Sequence, residues 1–95
     1  MLTYLKKALK FSADDTDYDD EINQYISSCK ADLVRSGVLE SKIVDNDPLI
    51  LDCVQAYCEF RMAEINEVEK RKAIYDSFKS DLVISSEYTN EYVGV

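Results

Sequence analysis

Between Tyr18 and Leu33 the residues Tyr18, Ile22, Tyr25, Ile26, Cys29 and Leu33 recur at steps of three and four. That spacing places them on one side of an α-helix and turns that side toward a core. Gly37 follows, a residue free to take positive φ after a last helical turn. With only 2 glycines and 1 proline in 95 residues, the chain has little material for a turn-rich sheet. An all-α fold is the expectation.

The remaining helices follow from the same period. Leu2, Leu5 and Leu9 fall near one side of a short helix with Ala8, opposite Lys6, Lys7 and Lys10, over residues 1–10. After a polar break, Thr16 stands three residues before Asp19, an arrangement in which a hydroxyl caps a helix whose first turn carries carboxylates. The second helix is therefore placed at 17–36. Val38 to Asn46 has no sustained period and reads as a loop, and Asp47-Pro48 then opens a third helix over 48–63. There the polar residues Asp52, Gln55 and Glu59 form one narrow stripe on an otherwise apolar surface, so this helix is expected at the centre of the core or between subunits. Asn66 reads as the cap of a fourth helix, 67–82, with Val68, Tyr75, Phe78 and Leu82 inward and Glu67 paired to Arg71. Val83 to Val95 carries Ile84, Tyr88, Tyr92 and Val93 without helical period. The expectation is a small bundle of four helices, residues 1–82, with an extended C-terminal arm, residues 83–95.

Composition narrows the function. A net charge of -8 with no histidine repels a phosphate backbone and disfavours a free-standing DNA binder. Cys29, Cys53 and Cys58 are an odd number with no CxxC spacing, which suits a reducing cytoplasm. No apolar run exceeds three residues, as at Leu49 to Leu51, so no membrane partner is expected.

Three constellations invite chemistry, and each has a plainer reading. Asp15, Asp17 and Asp19 match the alternate spacing of calcium-loop ligands, but Asp20 stands where glycine is needed and Ile26 where a bidentate glutamate is needed. Helix capping accounts for them better. The cysteines lie in apolar segments and read as small buried side chains. No carboxylate pair stands beside a nucleophile, a glycine-rich loop or a basic clamp. Hence no enzyme, no catalytic, cofactor-binding or metal residue and no cofactor is expected. Lys6, Lys7 and Lys10, like Lys70, Arg71 and Lys72, read as solvated faces. Seven tyrosines are many for this length; Tyr18, Tyr25, Tyr57 and Tyr75 are assigned to the core, while Tyr88 and Tyr92 have no evident home in the chain. The arm is accordingly expected to dock on another subunit.

The order of features resembles a known family. LKKAL at Leu5 to Leu9, DDTDYDDEI running into YISSCKADL between Asp14 and Leu33, DPLI at Asp47 to Ile50 and a last helix before a short tail are similar to the head-tail connector, or adaptor, proteins of tailed bacteriophages, also known as phage DNA-packaging proteins. The resemblance runs from Leu2 to Tyr88. It implies a virion part in the neck between head and tail, present in the host cytoplasm before assembly. Such a part forms a ring of about a dozen copies under the portal protein, extends the channel through which DNA passes without sequence-specific binding, and carries the next neck or tail-completion protein. Lys6, Lys7, Lys10, Asp52, Gln55, Glu59, Tyr88, Tyr92 and Val93 are then the expected subunit or portal contacts. The alternative is a small acidic regulatory protein that binds a basic host or phage partner. A third reading is a DNA-binding module using Lys70 to Lys72.

Overall fold

Asp47 and Pro48 start the central helix as their chemistry requires. The Asp47 carboxylate accepts a hydrogen bond from Leu49 N at 2.9 Å, and Pro48, with no N–H to leave unsatisfied, takes the first helical position. In the computed structural model, which describes residues 1–90, this helix is α3, Pro48–Arg61. Before it come α1, Leu2–Ala8, α2, Asp19–Arg35, and a 3-10 turn at Glu40–Lys42; after it come α4, Val68–Val83, and a single turn, α5, Ser86–Thr89. No strand occurs among the described residues.

α3 is the core of the bundle, as its nearly all-round apolarity implies. Ile50, Cys53, Val54, Ala56, Tyr57 and Cys58 are buried, between α2 on one side and α4 on the other. The α2 stripe supplies Ile22, Ile26, Cys29 and Leu33; α1 supplies Leu5; α4 supplies Tyr75 and Leu82. Each fully buried aliphatic side chain contributes about 1.5–3 kcal/mol. Between α3 and α4 the rings of Tyr57 and Tyr75 meet edge to face at 5.0 Å, with Phe60 stacked on Tyr75 at 6.5 Å.

Gly37 closes α2. Its φ of +113° lets Gly37 N reach Val34 O at 3.0 Å and Val38 N reach Leu33 O at 3.0 Å, which satisfies two carbonyls of the last turn and folds Val38 into the core beside Leu33.

Several local expectations are corrected. α2 begins at Asp19 with Tyr18 at its cap position, and the Thr16 hydroxyl does not cap it; instead Thr16 O accepts from Asp19 N at 3.2 Å, and Asp15 Oδ1 accepts from Asp17 N at 3.0 Å. The Asp-Asp-Thr-Asp run satisfies itself as a turn before the helix can start. Asn66 does not cap α4, whose cap position is Glu67, and Arg71 pairs with Glu59 across to α3 at 3.1 Å in place of Glu67. Tyr18 is exposed, with its ring on Phe11 at 5.2 Å. Residues 84–90 are not an extended arm: α5 folds back, and Tyr88 is buried in its own chain.

Candidate functional site

The surfaces available for assembly are defined by which expected contact residues remain outside once the bundle has closed. Lys7 and Lys10 are exposed, at the edge of an open groove of roughly 730 Å³ floored by Leu2, Phe11 and Ala13. Lys10, at φ +67°, ends the α1 turn in a left-handed conformation that lets the chain reverse into Phe11. Lys6 departs from the expectation. It is buried; its Nζ lies 3.0 Å from Asp19 Oδ1 and donates to Ala13 O at 3.1 Å. The approach to Asp19 is ionic, and that oxygen has no well-angled hydrogen-bond donor. The sequence placed Lys6 on the solvated side of α1, but the loop after α1 folds over that side and recruits the ammonium as a tie to the start of α2.

On α3 the polar stripe is confirmed in position and graded in exposure. Asp52 is exposed, Gln55 and Glu59 are half-buried, and Glu59 is engaged with Arg71. Glu59 also flanks a second groove with Leu9, Phe11, Met62 and Glu67, so the end of α1 and the α3 stripe are brought together there. Asp52 is not part of it.

Tyr88 is held at both ends of its residue. Its Oη donates to Asp47 Oδ2 at 2.8 Å, and its carbonyl accepts from Leu39 N at 2.9 Å. Burial, and then the Asp47 carboxylate, push its hydroxyl up to about 12. Asp47 therefore caps α3 with one oxygen and anchors the tail with the other. Tyr92 and Val93 lie outside the described residues.

Sequence reasoning missed Asp32. Its carboxylate accepts from Tyr75 Oη at 2.6 Å, Lys79 Nζ at 3.1 Å and Arg35 at 3.0 Å, and so ties α2 to α4. Burial by itself would raise its carboxyl, but the three donors outweigh it and hold the group at about 2. Only the Arg35 pair, one turn away, was visible in the sequence. The same site raises Tyr75, through burial and then through Asp32.

The three cysteines are free and buried. Hydrogen bonding with Cys53 and burial raise the Cys29 thiol, and burial pushes Cys58 up to about 11. Cys29 and Cys58 are thus packing groups held in the neutral form, opposite to what a nucleophile or a metal ligand needs. Among the described residues no group of three or more His, Cys, Asp or Glu side chains is placed to hold a metal ion. No helix among them is long and apolar enough to cross a membrane.

What stays exposed is instead apolar side chains in an otherwise acidic surface. Ile65 is 94% exposed in the link before α4, and Ile84 is 79% exposed just after α4, so one stands at each end of that helix. Such side chains are the ordinary material of contacts between proteins.

Comparison with curated proteins returns no match, and comparison with solved structures returns none. A family model described as phage connector protein matches residues 1–89, nearly the whole described chain. The chain therefore belongs to the phage connector protein family, as a structural component of the virion that associates with other phage head and tail proteins.

Proposed function

We propose that the chain is the repeating subunit of a closed ring of about a dozen copies that docks under the portal, extends the DNA channel and carries the next neck or tail protein. The family match over residues 1–89 is the observation that carries this reading. The net charge of -8 supports it, because a wall that repels phosphates lets duplex DNA slide past without being held. The exposed Ile65 and Ile84 support it too, since a subunit in a stack needs apolar contacts at more than one end. Among the residues expected to meet neighbours, Lys7, Lys10 and Asp52 remain accessible for that role; Lys6 and Tyr88 are committed within the chain.

Electron microscopy of the purified protein mixed with the portal protein of the same phage tests the proposal, with particle mass measured in parallel. A collar of regularly repeated added density is the expected result. A well-folded protein that leaves the portal bare at high concentration would overturn it in favour of the small acidic binder.

A further inference from the structure

α2 carries opposite charge at its two ends. Around its start Asp17, Asp20 and Glu21 are exposed, and Tyr18 among them is 44% exposed. Beside its end lies a groove lined by Lys30, Ala31, Val34, Arg35 and Ile43, with Glu40 the one carboxylate on its rim. Val34 is 45% exposed there. Among the described residues Asp17, Asp20, Glu21 and Lys30 have no ion-pair partner, and Arg35 keeps most of its guanidinium in solvent although it touches Asp32. The 17 residues of α2 span roughly 25 Å at 1.5 Å each. The two ends are therefore too far apart to satisfy each other inside one chain.

We propose that they meet between copies: the acidic start of α2, with Tyr18 at its centre, seats in the Lys30–Arg35 groove at the end of α2 in the next copy. The partner is a second copy of this chain, on grounds of charge and shape. Lys30, without an ion-pair partner, and Arg35, largely in solvent beside Asp32, flank an apolar floor of Val34, Ala31 and Ile43, and three carboxylates without a cationic partner, one of them holding the Tyr25 hydroxyl, stand around the exposed ring of Tyr18. Tyrosine is the residue type best suited to anchor such a contact, since it buries a large apolar body at little conformational cost. The Lys7–Lys10 groove fits this role less well, because Ser12, Ala13 and Asp19 put it on the same side of the molecule as the acidic start. A contact that joins one end of a subunit to the opposite end of the next is heterologous, and it generates a ring when its rotation closes. The inference rests on the ring reading above and names the surfaces that build the ring.

Paired charge reversals test it. Asp17→Lys with Asp20→Lys makes the acidic end basic; Lys30→Glu with Arg35→Glu makes the groove acidic. Each variant alone should associate at least tenfold more weakly than the wild type in sedimentation velocity. Their equimolar mixture should recover association, because each reversed end then finds a reversed partner in alternation. Wild-type association should also weaken as salt is raised. Far-UV circular dichroism checks that both variants keep their helices. Should the lysine variant lose helix at the α2 start, Asp17→Asn with Asp20→Asn takes its place and should weaken association severalfold. Wild-type self-association by either variant alone, or a mixture that stays dissociated, would overturn the interface. So would a wild type that remains monomeric both at high concentration and on the portal. The ring reading fails separately: its mark is a bare portal, whereas a wrong interface leaves collars that both charge-reversed variants still form.

Discussion

Tyr88 offers the sharpest test of how the tail is held. Truncation of a large buried aromatic to alanine costs about 3–5 kcal/mol where the surroundings cannot collapse. α5 is a single turn, however, so residues 84–90 can undock, and the loss cannot exceed the free energy of that docking. Tyr88→Ala is accordingly expected to cost about 2–3 kcal/mol, a fall in Tm of roughly 10–20 °C for a domain of this size. Tyr88→Phe removes only the hydrogen bond to Asp47; that carboxylate is half-exposed and can be rehydrated, so the cost falls to about 1 kcal/mol. Asp47→Ala removes both the α3 cap and the Tyr88 acceptor, which together cost about 2 kcal/mol. In the Asp47→Ala background, Tyr88→Phe should then cost about 0.3 kcal/mol or less, because its partner is already gone. Urea and thermal unfolding followed by circular dichroism read all four variants. A Tyr88→Ala protein within about 0.5 kcal/mol of the wild type would refute the argument, since it would mean that the ring contributes nothing to the folded chain.

Other perturbations reach the remaining parts of the fold. Gly37→Ala meets no atom within 4 Å, so its cost is the positive φ alone, about 1–2 kcal/mol in urea unfolding; a neutral outcome would show that the α2 terminus can close another way. The Asp32 carboxyl is held at about 2, below its unfolded value, so its stabilisation is fully present above about pH 4 and is lost as pH falls from there through about 2. Partial solvent screening limits that contribution to about 1–2 kcal/mol, and Asp32→Asn should flatten this part of the stability-versus-pH curve; an unchanged slope would contradict the assignment. Cys29, Cys53 and Cys58 should react with a disulfide reagent only through unfolding, so that urea at the unfolding midpoint accelerates labelling by orders of magnitude. Rapid stoichiometric labelling of the native protein would show that α3 is open to solvent.

The helices were legible in the sequence wherever a rule of short range decides them. The period from Ile22 to Leu33 can bury only as a helix, Gly37 can close it because it has no Cβ, and Asp47 and Pro48 act on the very next backbone amides. The same holds for the exposed stripe of α3 at Asp52, which follows from which side of that helix is polar. The site was less legible. Lys6 and Lys7 are neighbours with the same side chain, yet one is buried against Asp19 and the other is exposed, a difference made by the path of the following loop.

The sequence by itself therefore determined the elements: four main helices, the capped start of α3, the glycine-closed end of α2 and the acidic surface, all consequences of residues within one or two turns of each other. Tertiary structure alone decided the partners. Tyr88 meets Asp47 across 41 positions, Asp32 meets Tyr75 across 43 and Lys79 across 47, and Arg71 pairs with Glu59 on α3 and not with Glu67 one turn away on its own helix. A carboxylate read along the chain has many possible donors. Which one it receives depends on the distance of closest approach after packing, and the hydrophobic pattern, being blind to direction among polar groups, carries no record of that distance.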